Sequence, residues 1–180
     1  MARPSDTKIR IQATARELFL EQGVQNTSLK QISDRLGITK PALYYHFSSR
    51  EELVRSILQP VVAELEAFVA GREPGEGRRL LEDYFDLIWH YREEIAMVLH
   101  APTVLVELDL VDRMWLWRKE LTTLLLGPAP SDAARIRATV AFGGMSDCVV
   151  EHADLPRDVV KAAAVDAALA ALGPLGRTDP

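Results

Sequence analysis

Residues 27–50 read TSLKQISDRLGITKPALYYHFSSR, a run that resolves into two short helices around a tight turn. Leu29, Ile32 and Leu36 recur at helical spacing and give the first helix one apolar face. Thr27 stands just before it and is expected to cap it, its hydroxyl accepting an orphan backbone N–H. Gly37 supplies the left-handed backbone that ends it. Thr39 is placed to cap the second helix, with Pro41 in the first turn, where a missing N–H costs nothing. Leu43 and Phe47, four apart, turn inward, which leaves Lys40, Ala42, Tyr44, Tyr45 and His46 outside. A short, aromatic, basic helix face of this kind fits the major groove of B-DNA as the second helix of a helix-turn-helix.

The order of residue types adds to this. Residues 37–47, GITKPALYYHF, followed by SREEL at 49–53, closely resemble the DNA-binding signature of TetR-type transcriptional regulators. The upstream run ELFLEQG at 17–23 resembles that family's first helix. The likeness covers about the first third of the chain. Ser33 stands where the family usually has Ala and Arg50 where it usually has Lys, and both keep size or charge. Beyond that third the resemblance implies architecture only.

Composition sets bounds on class. The chain has 180 residues, 48% of them apolar, enough for one or two compact domains with a full core. A single Cys excludes an internal disulfide and suits a reducing compartment, so a cytoplasmic location is expected. The N-terminal MARPSDTKIR has no apolar h-region. No apolar run approaches the roughly 18 residues of a membrane span. A net charge of −5 is unexpected for a DNA binder, but residues 1–50 carry eight Lys/Arg against four Asp/Glu, a net +4, leaving −9 on the rest. A basic head on an acidic body directs DNA to one end of the molecule.

Read in order, residues 1–5 form an arm, within which Arg3 is either solvated or reaches a minor groove. A first helix over about 6–22 turns Ile11, Ala15, Leu18 and Phe19 to one side and closes at Gly23. Ser49 and Glu52 have capping-box spacing, and Leu53, Ile57, Val61, Leu65 and Phe68 mark a long amphipathic helix with Pro60 inside it. That proline either kinks a connector between head and body or fits the helix around the core. GREPGEG at 71–77 is a loop, and 78–91 is a helix with Leu81, Tyr84, Phe85, Ile88 and Tyr91 on one stripe. Short helical residues 93–100 precede a mostly helical stretch over 104–126 that carries Leu110, Met114, Trp117, Leu121 and Leu124. GPAP at 127–130 is a firm break; Ser131 caps a helix to about 150, and a last helix from near Pro156 reaches Leu172 and ends at Gly173, before a frayed tail over 174–180. No alternating β-branched run or Asn-Gly hairpin occurs. The expected fold is all-α with about nine helices: a helix-turn-helix domain over 1–48 and a helical regulatory and dimerisation domain over 49–180.

The candidate DNA-contacting residues are Ser28, Lys30, Thr39, Lys40, Pro41, Ala42, Tyr44, Tyr45, His46 and Arg50. The resemblance implies contact through the third helix, and the chemistry agrees. Lys40 can meet a phosphate or a guanine edge, and Ala42 offers a methyl to thymine. Tyr44, Tyr45 and His46 can bond phosphates while their rings pack on sugar, although one tyrosine could pack against the first helix instead. Ser28 and Lys30 open the second helix, whose N-terminal dipole favours phosphate. Arg50 adds a further charge.

One head reads few base pairs, so pairing is expected. ATVAFGGMSDCVV at 138–150 is apolar almost all round, as in a helix buried on both sides. Gly143-Gly144 and the Ala-rich run 162–171 allow close approach of backbones. The resemblance implies that the last two helices form a four-helix bundle across a two-fold axis; the alternative is one larger core. Phe85, Ile88, Trp89, Met97, Met114, Trp115, Trp117 and Met145 are candidates for lining a pocket for an apolar effector, or else plain core. Trp115 and Trp117 lie about 200° apart on a helix and should not share a cavity. Asp147, amid apolar neighbours, reads as a buried acid in need of a partner, either a ligand or a protein Arg or Tyr. Cys148 and His152, i and i+4, fall short of the three protein ligands a zinc site needs, so no metal and no cofactor is expected. No phosphate loop, nucleophile motif or paired carboxylates stand out, so the chain does not read as an enzyme. The expectation is a homodimeric repressor on a pseudo-palindromic operator, released by a small apolar ligand; control by a protein partner is the alternative.

Overall fold

The computed structural model describes residues 4–75 and 77–173. Of the arm read over 1–5, Pro4 and Ser5 instead begin the first helix, while residues 1–3 and the tail over 174–180 lie outside the described residues. Ten α-helices follow one another among the described residues: α1 Pro4–Gln22, α2 Leu29–Leu36, α3 Lys40–His46, α4 Arg50–Ala70, α5 Gly77–His90, α6 Arg92–His100, α7 Thr103–Glu107, α8 Val111–Leu126, α9 Asp132–Glu151 and α10 Arg157–Leu172. The all-α expectation holds. None of these helices is long and apolar enough to cross a membrane.

The tenth helix comes from the stretch read as one helix over 104–126. It is broken at Asp109, the one non-glycine residue with positive φ (57°) among those described. α7 ends there in a paired-hydrogen-bond motif: Leu110 N–H donates to Leu105 O at 2.8 Å and Asp109 N–H to Val106 O at 3.2 Å. Leu108 and Leu110, on either side, are buried, so burial holds the break in place. α2 ends by the same motif at Gly37 (φ 70°), with Ile38 N–H donating to Ser33 O and Gly37 N–H to Asp34 O. Asp is one of the few side chains that tolerate this conformation, because its short polar group bonds locally.

By packing, the chain divides into two compact units. The first comprises residues up to Val62 together with Ala96–Leu110, and so holds α1, α2, α3, the first part of α4, the end of α6, and α7. Ile11, Ala15, Leu18 and Phe19 of α1 are buried, as the helical spacing predicts. Ile32, Leu43, Phe47, Leu53 and Ile57 join them in the interior of this unit. Gln12 and Ser56 bond across it, Nε2 to Oγ, at 2.9 Å.

The second unit comprises Ala63–Ile95 and the residues from Val111 onward. α10 packs along α9 and α5, and α8 packs on α9. Leu81, Phe85 and Ile88 of α5, Leu121 and Leu125 of α8, Phe142 and Met145 of α9, and Val165 and Ala168 of α10 form one apolar cluster. Tyr84 lies edge-on to Phe142, with ring centroids 5.1 Å apart, and its hydroxyl shares a 3.1 Å hydrogen bond with Ser146. Burial pushes the Tyr84 phenol above its ordinary pKa. At the surface Asp86 accepts from Arg157 at 2.5 Å and from Lys161 at 2.8 Å, and Arg78 donates to Asp166 at 2.9 Å, tying α5 to α10.

Candidate nucleic-acid interface

The helix-turn-helix is set by its caps. Ser28, not Thr27, caps α2: its Oγ accepts from Gln31 N–H at 3.2 Å, while Ser28 N–H donates to Gln31 Oε1 at 2.8 Å. This reciprocal box corrects the sequence reading. Thr27 is buried, and its hydroxyl donates inward to Gly23 O at 2.9 Å and accepts from Gln22 Nε2 at 3.1 Å. It therefore closes the loop after α1 and leaves the α2 N-terminus to its neighbour. Thr39 caps α3 as expected, accepting from Ala42 N–H at 3.3 Å.

With both helices fixed, the outward residues follow. Leu43 and Phe47 are buried, and the Lys8 ammonium lies 5.5 Å from the Phe47 ring centroid. On the opposite side Thr39, Lys40, Pro41 and Ala42 are exposed, Tyr44 is 53% exposed and Tyr45 81%. His46 is half-buried, and its ring stands edge-on to Tyr45 with centroids 5.2 Å apart. Neither tyrosine is taken up by the core. Ser28 and Lys30 are exposed at the start of α2.

The cations divide into engaged and unengaged. Lys30 pairs with Asp34 at 2.5 Å on the surface of α2. Arg50 is turned inward: its guanidinium donates to Gln25 O at 3.2 Å, to Gln25 Oε1 at 3.0 Å and to Val24 O at 3.4 Å. It braces the loop between α1 and α2. Lys40 makes no ion pair among the described residues. The Glu52 carboxylate accepts from Ser48 N–H at 2.7 Å and Ser48 Oγ at 2.6 Å, bonds that hold its pKa below the ordinary range.

A family model described as bacterial regulatory proteins, tetR family, matches residues 11–57, the span that contains this whole site. Over that span the chain is similar to the tetR family. Over 82 residues, 42% of the chain, it is 39% identical to the HTH-type transcriptional activator FasR of Mycolicibacterium smegmatis. Over 71 residues it is 38% identical to the HTH-type transcriptional regulator UidR of Escherichia coli. These alignments span 37% and 35% of the relatives' own lengths. Solved structures extend the likeness in fold. A transcriptional regulator from Aquifex aeolicus superposes with TM-score 0.71 at 20% identity over 89% of this chain and 96% of that one. A TetR-like regulator from Rhodococcus sp. RHA1 gives TM-score 0.71 at 20% identity over 93% and 96%.

The residues named for an effector are not gathered in one place. Phe85, Ile88 and Met145 are part of the close-packed cluster, and Trp89 stacks on Phe85 with centroids 5.6 Å apart. Met97 is buried in the first unit, whereas the others belong to the second. Met114 is half-buried on α8. Trp117 is buried and lines a groove of about 490 Å³ with Val69, Leu116 and Leu124. Trp115, 58% exposed, lines a different groove, as the angle between the two indoles requires. Asp147 is exposed on α9, which corrects its reading as an acid buried within the chain. Apolar neighbours in sequence misled there, because α9 keeps an apolar face outside: Ile136 is 65% and Val140 59% exposed.

Proposed function

We propose that the protein is a homodimeric transcriptional repressor that binds a pseudo-palindromic operator through α3. The observation that carries this is the exposed row Lys40, Ala42, Tyr44 and Tyr45 on a helix capped at Thr39 and anchored by Leu43 and Phe47. Its size and chemistry suit a major groove. Residues 1–48 act as the reading head and 49–180 as the regulatory body. Ser28, Thr39, Pro41 and His46 border the row and position the backbone of the duplex. Lys30 joins them by exchanging Asp34 for a phosphate. The cytoplasm, where the operator lies, is the place of action.

The pairing surface is the outer face of α9 and α10. Ile136 and Val140 are exposed there, and Gly143 and Gly144 have open space where a Cβ would stand. Ala162, Ala163, Ala167 and Ala170 continue the small-residue face on α10. Two heads related by a two-fold axis match two half-sites. Control comes from a small, largely apolar ligand in the Trp117 groove, whose volume is within the usual range for such sites. Its binding releases DNA only to the extent that it prefers the released conformation. A relative over the head segment is an activator by name, so the sign of regulation is a separate measurement.

The test is selection of duplexes from a random pool by the purified chain, followed by titration. An inverted repeat bound by the native chain and lost in Lys40→Ala/Tyr45→Ala, with the fold intact, is the expected result. Equal binding by that variant would overturn the reading.

A further inference from the structure

Between α8 and α9 lies a groove of about 850 Å³ whose walls differ in chemistry from the rest of the body. Trp115 and Ile136 face it while 58% and 65% exposed. Arg118 and Lys119 flank Trp115, and neither makes an ion pair among the described residues. Arg135 is on the other wall, paired with Asp132. The residues beyond position 50 carry nine net negative charges, so an exposed indole beside unpaired cations is out of keeping with its surroundings.

At the far end of α9 is a turn of opposite character. Residues 151–156, EHADLP, are exposed throughout, with Leu155 43% exposed. Glu151 and Asp154 make no ion pair among the described residues. α9 has 20 residues, about 30 Å at ~1.5 Å per residue. When two copies of α9 run antiparallel about a two-fold axis, the last turn of one lies over the first turn of the other. The acidic turn with its leucine then meets the basic groove with its tryptophan, twice per dimer.

We propose that the α9–α10 turn of a second copy of this chain docks in the α8–α9 groove, with Leu155 against Trp115 and Ile136, and Glu151 and Asp154 against Arg118 and Lys119. This rests on the dimer reading above and extends the pairing surface onto α8. It also accounts for a large indole kept in water on a single copy, since an exposed apolar patch beside an intersubunit face is a mark of further contact.

Charge exchange tests it. Arg118→Glu/Lys119→Glu should weaken dimerisation, read by sedimentation equilibrium, about tenfold or more, and Glu151→Lys/Asp154→Lys likewise. The four changes together should restore it to within about threefold, a coupling that only facing groups give. In the unmodified chain, acrylamide quenching of Trp115, taken as the difference from Trp115→Phe, should fall as the dimer forms. A chain that stays monomeric would defeat the dimer reading itself. A dimer insensitive to the charge changes, a loss without rescue, or a Trp115 equally quenched in both states would overturn the groove contact alone. So would saturable binding of dodecanoate to the dimer that Trp115→Ala abolishes, since the groove would then hold a small amphipathic anion.

Discussion

Arg50 grips Gln25 twice, at 3.2 Å on its backbone carbonyl and 3.0 Å on its side-chain oxygen. The Gln25 amide in turn donates to Glu107 Oε1 at 2.9 Å and Thr103 Oγ1 at 3.3 Å. One glutamine thus links the start of α4 to α7 through the loop that precedes the helix-turn-helix. Arg50→Ala should therefore lower stability by about 1–3 kcal/mol, the range for hydrogen bonds from a charged group. Arg50→Lys should recover only part, because an ammonium cannot span two acceptors as a guanidinium fork does. Urea denaturation of the three chains measures this.

Lys40 should behave in the opposite way. It is exposed and makes no ion pair among the described residues, so Lys40→Ala should leave stability within about 0.5 kcal/mol. Its effect belongs in DNA binding: uniformly weaker affinity across sequences, and a salt dependence shallower by about 1 in log–log slope if it meets a phosphate. A loss confined to one base position would mark a guanine contact instead. Fluorescence anisotropy on the selected duplex at several salt concentrations separates the two.

The adjacent hydroxyls Thr27 and Ser28 do separate work. Ser28→Ala removes the α2 cap and should cost about 1 kcal/mol, most of which Ser28→Asp restores. Thr27→Val keeps the shape but leaves Gly23 O without its 2.9 Å donor, and should cost about 1–2 kcal/mol. Thr27→Asp should not rescue it, since a carboxylate has no proton to give and the site is buried. Thermal melts of the four variants distinguish a capping from an inward-facing role.

Left-handed positions offer a paired test. Gly37→Ala should cost about 1–2 kcal/mol through steric strain alone, since a Cβ there meets no neighbour within 4 Å. Asp109→Gly should be neutral or stabilising by up to about 1 kcal/mol, whereas Asp109→Val, with a branched side chain at φ 57°, should cost about 1–2 kcal/mol. Denaturant midpoints give the comparison.

Acid titration should reveal Glu52. Its folded pKa is lowered, chiefly by the hydrogen bond from the Ser48 side chain. A carboxylate with a depressed folded pKa contributes stability above its unfolded pKa and loses it as pH falls through the folded value. The native chain should thus destabilise through the acid side of the usual glutamate range, and Glu52→Gln should show a flatter profile there. Equal acid limbs for both would mean that the Ser48 bonds do not persist in solution.

Much of the head was legible because its signals are local. Gly37 marks a chain reversal, Thr39 and Pro41 mark a helix start, and Leu43 and Phe47 one turn apart mark a buried side; each acts through neighbours within about one turn. Asp109 ends α7 by the same hydrogen-bond pattern as Gly37 ends α2, yet only a glycine announces the motif. An aspartate adopts it when burial of Leu108 and Leu110 demands it. The Thr27–Ser28 assignment is of the same kind, since both residues can cap and the choice depended on which hydroxyl faced Gly23.

By itself, then, the sequence determined an all-α chain, a capped helix-turn-helix with its outward row of Lys40, Ala42, Tyr44 and Tyr45, and the family that this segment resembles. The tertiary structure alone decided that Arg50 braces a loop, that Asp147 is outside, and that the candidate effector residues are dispersed between core, grooves and surface. The reason is range. Helix phase and caps are properties of contiguous residues, whereas burial and ion pairing depend on which distant segment arrives alongside, and periodicity cannot say which of two apolar faces of α9 meets its own chain.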